Sequence, residues 1–188
     1  MPENKLKKED LYFEKLSESH LSLLSSFHCV EKELEKFLLE DAWTNQKQGI
    51  SVTYLWFLKE NKELAGYVTL LVDSINLNAD LKSFFREKDI HYKSLPALKI
   101  GRMAVSESKM RLGVGSIMIR FSIAVAIKIY EQYAGCRFLV LDAKRNTDPK
   151  RDPLHFYKKL GLNVLMEREK GTVPMYLDIW IKDIDENI

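Results

Sequence analysis

Leu98-Lys-Ile-Gly-Arg-Met-Ala-Val105, followed after a polar connection by Met110-Arg-Leu-Gly-Val-Gly-Ser116, is the stretch on which the fold turns. Ala97–Val105 reads as a strand, Ser106–Gly115 as a glycine-containing loop, and Ser116–Tyr133 as a long helix. The first backbone N–H groups of a helix have no intrahelical acceptor, and the helix dipole adds partial positive charge there. Gly113 and Gly115 allow an anion close to the backbone. Such a loop can cradle a diphosphate, although an ordinary glycine turn before a helix has the same spacing. Three better-known loops do not fit. A dinucleotide-binding G-x-G-x-x-G lacks its third glycine, because position 118 is Met118. Neither the Gly-Lys-Ser/Thr ending of a P-loop nor the G-x-S-x-G of a hydrolase elbow occurs.

Outward from this stretch, strands and helices alternate. The polar positions of the long helix, Arg120, Lys128 and Glu131, form one narrow stripe, so most of it is expected to be buried. Arg137–Ala143 holds the continuous apolar run Phe138, Leu139, Val140 and Leu141, as in a strand covered on both faces. Strand, loop, helix and strand together make a crossover unit with room for parallel pairing. Asp152–Leu160 reads as a short helix ending at Gly161, and closing strands follow near Leu162–Met166 and Pro174–Trp180. Toward the N-terminus, Leu11–Leu16 reads as a strand. Val30, Leu34, Phe37, Leu38 and Ala42 fall at helical spacing, with Gly49 as the stop. Val52–Leu58 and Ala65–Val72 form a hairpin around Asn61–Lys62. The polar stretch 73–95, with one helix near Leu81–Phe85, reads as an insertion over a sheet edge or cleft. The expectation is one α+β domain over residues 1–188.

Composition narrows the function classes. A chain of 188 residues that is 46% hydrophobic can bury a core without metal or disulfide staples. A net charge of +2 argues against a strongly basic nucleic-acid binder but leaves room for a local basic patch. Cys29 and Cys136 are far apart and read as reduced, buried thiols. His20, His28, His91 and His155 are scattered, so no metal site is expected. The polar start MPENKLKKED has no signal-peptide pattern, and Ile117–Tyr130 is broken by Arg120 and Lys128. A cytoplasmic protein is therefore expected.

The quoted strand, the Gly113/Gly115 loop and the helix behind it resemble the central motif of the GNAT (GCN5-related) N-acetyltransferases. That family writes the loop Arg/Gln-x-x-Gly-x-Gly/Ala; Met110 stands in place of the Arg or Gln here, with Arg111 next to it. Val140-Leu-Asp-Ala-Lys144 with Asn146, then His155-Phe-Tyr-Lys-Lys-Leu-Gly161, resembles the family's next strand and its F-Y-x-x-x-G helix. The resemblance implies a GNAT fold: a mixed, mostly antiparallel sheet that splays between two parallel strands and is flanked by helices. It also implies an acetyl-CoA cosubstrate. Met103, Ala104 and Val105 would bond the pantetheine arm. Arg111, Leu112, Gly113, Val114, Gly115 and Ser116 would hold the diphosphate, and Asn146 would contact the arm. Tyr157 would be the general acid that protonates the leaving thiolate; a phenol of pKa about 10 is protonated at neutral pH.

The strand Ala97–Val105 carries no carboxylate, where several GNAT enzymes have a glutamate base. A lysine amine has a pKa near 10.4 and an α-amine one near 8, so the lack of a base favours an α-amino acceptor. His91 is the alternative base; a solvated loop histidine is the plainer reading. Phe27-His-Cys-Val-Glu-Lys-Glu-Leu34, Phe37-Leu38, Ala42, Gly49-Ile-Ser-Val-Thr-Tyr54 and Gly66-Tyr67 are similar to the GNAT toxins of toxin–antitoxin pairs, as is Gly101-Arg-Met-Ala-Val105, although Ser106 replaces an aspartate common there. That resemblance implies aminoacyl-tRNA as acceptor, an antitoxin partner and room for a homodimer. Lys144, Arg145, Lys150, Arg151, Lys158 and Lys159 would meet tRNA phosphates, as would Lys82, Arg86, Lys88 and Lys93. A small-molecule or protein amine, or a non-catalytic CoA- or RNA-binding module, are the competing readings.

Overall fold

The computed structural model describes residues 5–146, 152–168 and 170–180. Its strands are β1 Leu11–Lys15, β2 Val52–Leu58, β3 Leu64–Asn76, β4 Ser94–Val105, β5 Phe138–Lys144, β6 Asn163–Val164 and β7 Thr172–Asp178. Its α-helices are α1 Lys32–Lys36, α2 Ala42–Lys47, α3 Ala79–Arg86, α4 Val114–Gln132 and α5 Leu154–Lys159. The strands form a seven-stranded sheet in the order β1-β2-β3-β4-β5-β7-β6. The expected elements are all present. The chain divides into two compact units, one made of the chain up to Leu71 with Ile100–Phe121, the other of Val72–Lys99 with the chain from Ser122 onward.

In the first unit β1, β2 and the start of β3 run antiparallel, with Leu11 opposite Leu58 and Val52 opposite Leu70. One face of these strands is closed by Leu16, Leu24, Phe27, Leu38, Ala42, Leu55, Phe57, Tyr67 and Ala104, all buried. The helical region expected after Val30 is interrupted. Between α1 and α2, Phe37–Asp41 forms a π turn, and the Ala42 N–H reaches the Phe37 carbonyl five residues back. The buried Tyr67 hydroxyl donates to the Leu34 carbonyl at 2.7 Å, so tertiary structure serves the widened turn. On α4, Phe121 packs against Phe13, Tyr54 and Trp56, with ring centroids 4.5, 4.9 and 5.4 Å away. Gly66 is needed for space. A Cβ there would lie 2.8 Å from the Ala104 carbonyl oxygen and 3.2 Å from the Met118 terminal methyl.

In the second unit β5 pairs antiparallel with β7 from Phe138–Asp178 to Lys144–Thr172, and β7 pairs with β6. Ile75, Leu77, Leu81, Phe85, Ala97, Phe138 and Val140 form its core. The segment 73–95 is more regular than its polarity suggests, because β3 continues to Asn76 and β4 begins at Ser94. Asn78 caps α3 by accepting the Leu81 N–H at 2.9 Å, and it donates to the Leu165 carbonyl at 3.1 Å. Arg137 bonds Asp178 at 2.7 Å and lies over the rings of Phe85 and Trp180. Cys29 and Cys136 are free and buried. Among the described residues no helix is long and apolar enough to cross a membrane, and no group of His, Cys, Asp or Glu is arranged to hold a metal.

Candidate active site

The loop between β4 and α4 belongs wholly to the first unit. It opens with a short 3-10 turn, Glu107–Lys109. Glu63, from the β2–β3 turn, braces it by accepting from the Ser108 hydroxyl at 3.1 Å and from the Lys109 ammonium at 3.0 Å. These donors hold the Glu63 carboxyl below its ordinary range, Lys109 contributing most. Beyond the turn the backbone enters the left-handed region twice, at Arg111 (φ +64°) and Gly113 (φ +98°). For Arg111 this is a strained conformation. Leu6 crosses here, its N–H donating to the Leu112 carbonyl at 2.8 Å. The Leu6 carbonyl oxygen lies 3.4 Å from where a Gly113 Cβ would sit.

Helix α4 starts at Val114, two residues earlier than the sequence suggests, so Gly115 and Ser116 lie in its first turn. Among the described residues no acceptor meets the backbone N–H groups of Gly113, Val114, Gly115 or Ser116. The Arg111 side chain is exposed and has no carboxylate partner among them. Four open amides, a helix N-terminus, a left-handed glycine and a free guanidinium fit a diphosphate. Met103, Ala104 and Val105 form the end of β4 leading into this loop, with Ala104 buried and its neighbours half-buried. Ser106 closes the strand, its N–H donating to the Ala65 carbonyl at 2.8 Å.

Asn146 and Tyr157 belong to the second unit. Asn146 is half-buried just past β5. Tyr157 sits in the middle of α5, and its carbonyl accepts the N–H groups of both Leu160 and Leu162. Burial pushes its phenol up to about 12. Asp152 fixes the start of α5 by accepting the Leu154 N–H at 3.0 Å, and Arg145 holds Asp152 at 2.7 Å. Arg145 also donates to the Arg168 carbonyl. It is therefore a structural tie rather than a free cation. Lys158 and Lys159 are exposed and carry no carboxylate partner among the described residues. Lys150 and Arg151 lie outside the described residues. Among the described residues exposed His91 bonds exposed Asp89, at 3.0 Å.

Sequence reasoning missed Leu6 and Glu63. Neither has a local signal: the contact partners are 45 or more residues away for Glu63, and for Leu6 the bond is between backbone groups. Asp152 stands seven residues from Arg145, an acidic neighbour of the basic run in the sequence, and the structure adds the bond between them.

No protein-family model and no curated protein matches the chain. Solved structures do. AtaT complexed with acetyl-methionyl-tRNAfMet is 24% identical with a TM-score of 0.70, over 88% of this chain and 94% of that one. A tyrosine-to-phenylalanine variant of KacT is 21% identical with a TM-score of 0.72, over 88% and 94%. A tyrosine-to-phenylalanine variant of the AtaT toxin, bound to the C-terminus of the antitoxin AtaR and acetyl-CoA, is 21% identical with a TM-score of 0.67, over 90% and 94%. The chain shares their fold, the GNAT fold expected from the β4–loop–α4 motif.

Proposed function

We propose that this chain is an N-acetyltransferase that moves the acetyl group of acetyl-CoA to the α-amine of aminoacyl-tRNA, as a toxin restrained by an antitoxin. The observation that carries the reading is the row of open amides from Gly113 to Ser116 at the end of β4, in a fold shared with toxins solved with acetyl-CoA and with acetylated tRNA. Acetyl-CoA, when bound, supplies an activated acetyl thioester. Gly113–Ser116 and Arg111 hold the diphosphate through amides and a guanidinium. The backbone of Met103–Val105 bonds the pantetheine arm as an added strand would, and Asn146 contacts that arm. Tyr157 donates its proton to the departing sulfur; a phenol with a pKa of about 12 keeps that proton at every physiological pH. No carboxylate on β4 takes the proton of the acceptor amine, which suits an amine of pKa near 8 that is already partly neutral. Lys158 and Lys159 meet tRNA phosphates. A cytoplasmic location and a homodimer accompany this reading.

The deciding experiment is mass spectrometry of charged tRNA after incubation with the protein and acetyl-CoA. An acetylated aminoacyl adduct is expected. Acetylation of a small amine or a protein in its absence overturns the tRNA acceptor and leaves an acetyltransferase. No acetyl transfer to any amine overturns the enzyme itself.

A further inference from the structure

We infer that Arg102 reads the acceptor and that it reads a phosphate of the nucleotide bearing the amine; this rests on the acetyltransferase reading above. Strand β4 runs toward the loop that holds the diphosphate. A pantetheine arm lying back along Val105 to Met103 therefore brings its thioester end out beside Arg102, where the acceptor amine must arrive.

The Arg102 guanidinium is held in place from the core outward. It lies over the Phe37 ring, 5.4 Å from the centroid. Phe37, the first residue of the π turn, stacks on Tyr67 at 6.4 Å and 20°. Tyr67 is wholly buried and anchored through its hydroxyl to the Leu34 carbonyl. Yet among the described residues no carboxylate pairs with Arg102, and the side-chain hydrogen bond it makes there goes to the carbonyl of Gly101 at 2.7 Å. Lys109 and Lys32 of the same unit are paired, with Glu63 and Glu35, each at 3.0 Å, whereas Arg102, like Arg111, has no carboxylate partner among the described residues.

A bare cation at that position selects acceptors. It disfavours polyamines and lysine side chains, which arrive as ammonium ions. It also lowers the pKa of a neighbouring amine, so more of an α-amine is neutral and able to attack. That effect supplies part of what a carboxylate base on β4 would have done. The guanidinium fork itself needs an anion, and a phosphate matches its geometry. In an aminoacyl-tRNA the anions nearest the α-amine are the phosphates of the terminal nucleotides. A free amino acid offers a carboxylate instead, and the experiment separates the two.

Arg102→Ala and Arg102→Lys are compared with the unaltered protein. Five quantities are measured: the Kd for uncharged tRNA over a salt series, the Kd for acetyl-CoA, and the KM for methionyl-tRNA, for free methionine and for methionine methyl ester, which has the α-amine but no anion. For Arg102→Ala, tRNA affinity is expected to fall about tenfold and the slope of log K against log salt by about one. The KM for methionyl-tRNA should rise by a similar factor, the ester should be affected much less, and the acetyl-CoA Kd should hold. Arg102→Lys keeps the charge without the fork and should fall between. Unchanged tRNA affinity and slope overturn the inference, as does an equal loss on ester and tRNA. Free methionine acetylated as efficiently as methionyl-tRNA, with the same dependence on Arg102, replaces the phosphate by a carboxylate. If the unaltered protein binds no acetyl-CoA, the acetyltransferase reading falls, and the tRNA measurements still decide what Arg102 contacts.

Discussion

Tyr157 is the general acid that the resemblance to the F-Y-x-x-x-G helix implies, and its surroundings suit the proposed role of proton donor. Burial favours the neutral phenol, so its pKa rises to about 12 and the proton stays available. The helix that carries it is six residues long and would be marginal alone. The Arg145–Asp152–Leu154 chain of bonds and the Leu160 and Leu162 amides on the Tyr157 carbonyl hold it. Tyr157→Phe should leave the melting temperature and acetyl-CoA affinity near the original and slow transfer by roughly 10²–10⁴-fold. In the unaltered protein, loss of activity from ionisation of this phenol should appear only as the pH approaches 12, because the raised pKa keeps the acid form dominant below it. Near-original turnover in Tyr157→Phe would make Tyr157 a packing aromatic. Arg145 shows where a sequence reading of charge misleads. It stands in a run of basic residues, but its guanidinium is taken by Asp152.

At the scale of elements, the β4–α4 loop is shaped by its neighbours as much as by its glycines. Glu63 braces the turn before it, and Leu6 fixes the Leu112 carbonyl. Gly113→Asp should abolish measurable acetyl-CoA binding. Any side chain is strained at φ +98°, and a carboxylate there repels the diphosphate. Unchanged affinity by calorimetry would remove the loop from the cofactor site. Leu6→Pro is a finer probe, because proline has no N–H to donate to Leu112. It should weaken acetyl-CoA binding several-fold, whereas Leu6→Ala, which keeps the N–H, should not. That outcome would follow from loss of the bond that fixes the Leu112 carbonyl, an effect of one hydrogen bond or about 1 kcal/mol. Equal affinities in the two variants would show that the Leu6 N–H has no part in the site.

For the whole molecule, a net charge of +2 on 188 residues means that binding to tRNA must come from local patches rather than overall attraction. Lys158 and Lys159 are exposed and have no carboxylate partner among the described residues, as is also true of Lys82, Arg86, Lys88 and Lys93. Lys158→Glu with Lys159→Glu should weaken charged-tRNA binding at least tenfold in 0.1 M salt and flatten its salt dependence by about two counterions. A double variant with unchanged salt slope would place the tRNA on another face. Acetyl-CoA at about 100 times its Kd should stabilise the protein by about 2.7 kcal/mol, read as a rise in melting temperature.

The sequence by itself determined the order of elements, the strand–glycine loop–helix unit and the place of Tyr157 on a short helix before Gly161. These are local patterns of apolar spacing and backbone freedom, and they show in a window of about ten to twenty residues. It also located the Phe27–Tyr67 region as one with a likeness of its own, without the reason for Gly66 or Tyr67. Those reasons are tertiary. Gly66 is required because the Ala104 carbonyl comes within 2.8 Å of the Cβ it lacks. Tyr67 is required because its hydroxyl serves a carbonyl 33 residues earlier. The π turn at Phe37–Asp41, the Leu6 crossing and the Arg102–Phe37–Tyr67 stack were likewise decided by the folded chain. Each depends on hydrogen bonds or ring contacts between residues far apart in sequence, and no local periodicity encodes which distant group will satisfy them. Charge was the clearest case: composition counted Arg102 and Arg145 alike, and only the structure showed that Asp152 neutralises Arg145 while Arg102 has no carboxylate partner among the described residues.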